Sequence, residues 1–218
     1  MGAISGKVAR IRHTSASATN STNEASDLST DGVSLSINST AKRHWDRTST
    51  APAIFVSGAT ASDISADVES INYVKGIVTF TTPHSTSTTI TMDVDYLTSS
   101  YLAGGRNWSV DVDSDMLDVT AFSTTATDVT WRTFVAGLNG AEVSIERLFQ
   151  DSTANVFWDA LAAGSSNFIV ELVPDGAGGD RFEGFARVSQ FSPSVEIDGT
   201  ADEGVTLTVD GVLYFTTN

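Results

Sequence analysis

Cysteine is absent from the 218 residues. That excludes a disulfide framework, thiolate-bound zinc or iron–sulfur centres, and a cysteine nucleophile. Basic residues are scarce: 12 Lys and Arg stand against 27 Asp and Glu, a formal net charge of −15. Wrapping duplex nucleic acid needs dense cationic patches, so this balance argues against a protein that grips DNA. No apolar run approaches the ~20 residues of a membrane-spanning helix, and Met1 to Lys7 lack the charged head and apolar stretch of a secretory signal. The chain therefore reads as soluble, made in the cytoplasm, without a membrane partner.

Motifs for catalysis and cofactors are also missing. The three histidines, His13, His44 and His84, sit in Ser/Thr-rich or basic surroundings expected to be exposed, and no Gly-x-Ser-x-Gly elbow accompanies them. Asp111, Asp113 and Asp115 open like a calcium loop, but the sixth position is Met116 instead of Gly and the twelfth is Phe122 instead of Glu. Gly176, Gly178 and Gly179 have neither dinucleotide spacing nor a following Lys-Ser/Thr. No cofactor or metal is expected on this basis, while carboxylate pairs for glycosidic chemistry stay open because Asp and Glu are plentiful.

What is plentiful is Ser, Thr and β-branched residues, which favour strands and turns. Ile4 to Ile11 reads as a first strand. Thr14 to Thr30 is a polar tract expected to be a long exposed loop, or an arm that orders against a neighbouring molecule. Alternation of Val33, Leu35 and Ile37, the run Ala53 to Val56, the pair Ile71 to Val74 and Ile77 to Phe80 about Lys75-Gly76, and Thr88 to Tyr96 predict a compact block of short strands over 33–100. Leu102 to Gly105 reads as a linker. Strands follow at Trp108 to Val112, Trp131 to Val135 and Ala141 to Phe149, with a hairpin-type loop at Gly137 to Gly140. A single helix is predicted over about 152–163, capped by Asp151 or Ser152. It should bury Val156, Phe157, Ala160 and Leu161 and end at Gly164. Strands at Phe168 to Val173, Phe182 to Val188, Val195 to Asp198 and Val205 to Phe215 complete a mainly β (α+β) fold, with Phe182, Phe185 and Phe191 as interior bulk. The loop Pro174 to Asp180 is expected to be flexible.

Charge is uneven. Residues 1–50 carry a net +2 and residues 51–218 a net −17. This is either a surface biased for solubility or a complementarity between copies, a basic segment of one meeting an acidic face of another. Trp45, beside Arg43, Asp46 and Arg47, is the one tryptophan in a plainly polar context, either packed locally or an interface anchor.

Several stretches, in this order, resemble the major tail tube proteins of long-tailed (siphovirus-like) bacteriophages. They are Ile4 to Arg10; Trp108 to Val112 with Leu117 to Phe122; Trp131 to Leu138; Ala141 to Glu146 with the helix Asn155 to Leu161; Gly184 to Ser189; Val195 to Gly199; and Gly204 to Leu213. The similarity covers the first dozen residues and roughly 105–218. It implies a tail-tube β-sandwich or half-barrel flanked by one helix, formed by residues 1–32 and 101–218, with 33–100 as an inserted β-rich block. It further implies a structural virion protein that forms stacked hexameric rings, a hollow tube through which DNA passes without specific binding. The implied partners are further copies of itself, a tape-measure protein, a tail terminator and distal tail or baseplate proteins. On that reading, Lys42, Arg43, Trp45, Arg47, Asp175 and Asp180 are expected at contacts between subunits or rings. Glu142, Glu146, Asp175 and Glu183 are expected to line the bore. The alternative is a surface carbohydrate-binding or adhesin sandwich, with a carboxylate glycosidase a more distant third.

Overall fold

The computed structural model describes residues 10–56, 62–87, 89–119, 132, 134–149, 155–164, 168–174, 180–195 and 199–217. Among the described residues the chain is mainly β with one α-helix, as its alternating pattern predicts, and every strand pairing is antiparallel. The strands are β1 (Arg10–Leu28), β2 (Ser34–Ile37), β3 (Ala53–Val56), β4 (Ser62–Asp63), β5 (Val68–Asn72), β6 (Ile77–Phe80), β7 (Ile90–Tyr101), β8 (Gly105–Asp118), β9 (Phe134–Leu148), β10 (Phe168–Val173), β11 (Arg181–Val195), β12 (Ala201–Val209) and β13 (Tyr214–Thr216). The main sheet runs β4-β3-β7-β1-β10-β11-β12-β9-β8 and does not close on itself. β2, β6 and β5 pair off the far end of β1, and β13 pairs the start of β11.

The polar tract from Thr14 onward is neither loop nor arm. It is the middle of the 19-residue strand β1, hydrogen-bonded to β10 at Arg10 to His13, to β7 from Arg12 to Ala25 and to β2 from Ser26 to Leu28. Backbone pairing along its length, first with β7 and then with β2, substitutes for a hydrophobic side-chain pattern. The strand bends through register shifts between Thr14 and Ala18 and between Ser21 and Glu24, with Asn23 at φ 55°.

Three further boundaries move. Leu102 to Gly105 is a tight turn from β7 into β8, with Gly104 at φ 73°. Gly137 and Gly140 lie inside β9, because the opposite strand comes too close for a side chain: a Cβ on Gly137 would meet the Asp115 Cβ at 3.0 Å, and one on Gly140 the Asp113 Oδ1 at 2.8 Å. Val195, expected to open a new strand, is the last residue of β11, and 196–198 lie outside the described residues.

Helix α1 (Val156–Ala163) is capped by Asn155, whose Oδ1 accepts hydrogen bonds from the backbone N–H groups of Phe157 and Trp158. The anticipated caps Asp151 and Ser152 lie outside the described residues. Gly164 adopts the predicted left-handed conformation at φ 58°. Phe157 and Ala160 are buried, with Val156 and Leu161 packed beside them, so the predicted apolar face is the face that meets the sheet.

There are two hydrophobic cores. One lies under α1 and contains Val143, Ile145, Phe168, Val170, Leu172, Val205 and Leu207, with Phe182 and Phe191 against it. The other fills the β2–β7 block with Leu35, Ile37, Trp45, Ile54, Val78, Phe80, Ile90, Met92 and Val94. A smaller cluster of Val74, Leu97, Ile169 and Phe185 joins them. That cluster and the continuity of β1 fix how the block meets the body.

Candidate functional site

Strands β11, β12, β9 and β8 form one end of the sheet. Trp108, Val110, Val143, Ile145, Val205 and Leu207 alternate toward the core. The period of two then sends Ser109, Asp111, Glu142, Ser144, Glu146, Thr206 and Thr208 to the opposite face. Asp111 stands directly opposite Glu142 in the ladder, and Glu142 and Glu146 are both exposed. Like charges in register repel, so Asp111 and Glu142 weaken the pairing they sit in and leave this face acidic and polar.

β8 is also the edge of the sheet. Beyond the core the β8–β9 hairpin continues with apolar side chains in solvent: Val112, Met116, Leu117, Phe134, Val135 and Leu138, the last 82% exposed. An exposed, long, apolar edge is what single soluble domains avoid.

Where the β2–β7 block meets the body, the structure builds a buried ion cluster. Glu171 on β10 lies directly opposite Glu183 on β11, and both carboxylates are buried. Two facing buried carboxylates need cations. Arg43 supplies one by bridging both, at 2.9 Å to Glu171 and 2.7 Å to Glu183. Arg12 reaches Glu171 at 3.4 Å, Arg181 reaches Glu183 at 3.3 Å, and Thr216 donates its hydroxyl to Glu183. The His44 ring pairs with the Val74 carbonyl at 2.8 Å through Nδ1 and with Glu171 at 3.4 Å through Nε2. Burial alone would raise the Glu171 pKa, but the His44 hydrogen bond and the Arg43, His44 and Arg12 charges hold it down to about 2. Arg43 and His44 follow a short 3-10 turn at Thr40–Lys42, so the block reaches into the body with both groups side by side.

This arrangement reassigns several residues. Arg43 and Glu183, expected at an intersubunit contact and in the bore, are partners of one another inside the chain. Trp45 is 1% exposed, packed in the block core with its indole N–H donating to the Lys42 carbonyl at 2.9 Å, so it anchors locally and presents no surface. His44, expected at the surface, is buried. Lys42 pairs with Glu24 and Arg47 with Asp210, both within the chain. Asp180 is half-buried at the start of β11, and Asp175 lies outside the described residues. Asp111, Asp113 and Asp115 are exposed along β8. The donor atoms of His44, Glu171 and Glu183 lie within 4.8 Å of one another. Arg43, Arg12 and Arg181 already neutralise those carboxylates, a donor set that disfavours a metal ion. The facing carboxylates were legible only as an alternation of Glu with apolar residues, and nothing in the sequence pairs them with Arg43.

No protein-family model matches the sequence, and no curated protein sequence matches it. Among solved structures, 55% of the chain superposes on chains of three particles. One is from the virion of a native gene transfer agent particle, at 17% identity and TM-score 0.46 over 89% of that chain. Another is from the tail of an empty gene transfer agent particle computed with C6 symmetry, at 20% identity and TM-score 0.47 over 87% of that chain. The third is from the baseplate of an anti-feeding prophage, at 10% identity and TM-score 0.39 over 84% of that chain.

Proposed function

We propose that this chain is a structural tail protein without catalytic activity, whose copies assemble into stacked hexameric rings that form a hollow tube for DNA. The observation that carries the reading is the β8–β9 hairpin, an unpaired sheet edge that projects apolar side chains into solvent. Such an edge is completed when an identical sheet pairs with it, and closing copies into a ring removes every free edge. The order of stretches that resemble tail tube proteins supports the same reading. The block at 33–100 is then an insertion in that architecture, and the face with Asp111, Glu142 and Glu146 lines the bore, where its carboxylates repel phosphates and let DNA slide.

Negative-stain microscopy of concentrated protein is expected to show rings or tubes of constant bore. Leu138→Asp and Met116→Asp should leave the circular dichroism unchanged and abolish those particles. A wild-type protein that stays monomeric under the same conditions overturns the reading.

A further inference from the structure

The β2–β7 block is electrically asymmetric along its strands. At its body end a cavity of about 340 Å³ opens beside the buried cluster, lined by Ile37, Thr40, Arg43, Lys75, Ile77, Arg181, Glu183 and Thr216. Three cations thus surround one carboxylate. Arg43 and Arg181 are drawn toward Glu183, whereas Lys75 has no carboxylate partner among the described residues and rests on the Tyr214 ring at 4.9 Å. Lysine on an aromatic face keeps its charge available at the mouth. In a chain of net charge −15 this is an unusual concave excess of positive charge.

The other end of the block is acidic. β2 and β6 run from Ile37 and Ile77 at the cavity to Ser34 and Phe80 at the far end, paired Ser34 to Thr79 and Ser36 to Ile77. There the turn holding Asp31 and Gly32 meets His84 through Gly32 and His84 backbone hydrogen bonds. Asp67 lies 3.6 Å from His84, Asp63 Oδ1 accepts from the Ser65 backbone N–H at the start of the 3-10 turn Ser65–Asp67, and Glu69 follows on β5. Asp31, Asp63 and Glu69 are exposed, and none has a cation partner among the described residues. One strand length, roughly 13 Å for four residues, separates the two ends.

We propose that the basic cavity beside Lys75 is the docking site for the acidic end, Asp31, Asp63, Asp67 and Glu69, of the β2–β7 block of a second copy of this chain. This deepens the assembly reading and rests on it. Copies that each carry −15 repel, so association needs local attraction at defined places. A head-to-tail contact of this kind joins two different patches, which lets copies form a ring or a stack.

The test uses the full chain with two single variants, Lys75→Glu and Glu69→Lys. Each reverses one charge of the contact and leaves the buried Arg43 and Glu183 pair in place. Sedimentation velocity against protein concentration should show that each variant alone needs about tenfold more protein to assemble than wild type, with circular dichroism unchanged. An equimolar mixture should recover, because the carboxylate placed at position 75 of one variant faces the ammonium placed at position 69 of the other, while the second variant keeps Lys75 for the first variant's unaltered tip. Variants that each assemble like wild type overturn the inference, and so does a mixture no better than its separate components. Either result leaves the assembly reading standing if wild type still forms particles. A wild type that never assembles overturns both.

Discussion

Glu171 is held ionised in a buried site because Arg43, Arg12 and His44 converge on it against the repulsion of Glu183. Its pKa falls from 4.5 to about 2 in the folded chain. A lowered folded value means that the stabilisation is fully present above the unfolded value, is lost as pH drops from about 4.5 toward 2, and is gone below both. A shift of that size corresponds to about 3 kcal/mol. Glu171→Gln should destabilise the protein by several kcal/mol at pH 7, since it leaves buried cations short of a partner. The gap between wild type and variant in urea unfolding should shrink by about 3 kcal/mol between pH 5 and pH 2. A gap that stays constant across that window would show that Glu171 is not the group titrating there.

Two glycines with nearly the same backbone angle separate conformational strain from crowding at the level of turns and helix ends. Gly164 ends α1 at φ 58° with nothing within 4 Å of an added Cβ, so Gly164→Ala costs only the left-handed conformation, about 1 kcal/mol. Gly76 turns β5 into β6 at φ 64°, but a Cβ there would meet the Arg43 carbonyl oxygen at 2.7 Å and its Cα at 2.9 Å. Gly76→Ala must therefore displace the Arg43 backbone, whose side chain bridges Glu171 and Glu183. We expect a loss at least 2 kcal/mol larger than for Gly164→Ala, read by thermal unfolding of the two variants side by side. These elements also show what was legible in the sequence. The Lys75-Gly76 turn, the Gly164 cap and the apolar face of α1 follow from short-range chemistry, and all three are present. β1 was not legible, because Ser, Thr, Ala and Asn form a strand only where β7, β10 and β2 offer backbone partners distant in sequence. Arg43 and Trp45 looked like surface groups for the same reason: their partners Glu171, Glu183 and the block core come from other parts of the chain.

Across the whole molecule, the two cores are tied together three ways. β1 runs unbroken from the body at Arg10 to the block at Leu28, and β7 pairs with it for most of that length. Val74 and Leu97 from the block pack with Ile169 and Phe185 from the body. Arg43 and His44 from the block close the buried ion cluster with Glu171 and Glu183 of the body. Unfolding the block alone would therefore strip β1 of β7 and β2 and leave Glu171 and Glu183 facing each other with less countercharge. The block and the body should melt as one cooperative unit despite having separate cores. Calorimetry of wild type is expected to give a single transition whose van't Hoff and calorimetric enthalpies agree. Arg43→Gln removes the bridging cation and should lower that transition. If the β1 strand rather than the ion cluster is the dominant tie, the transition stays single. A split into two transitions in the variant would assign the coupling to Arg43, whereas two transitions in wild type would show that the block folds independently of the sheet it extends.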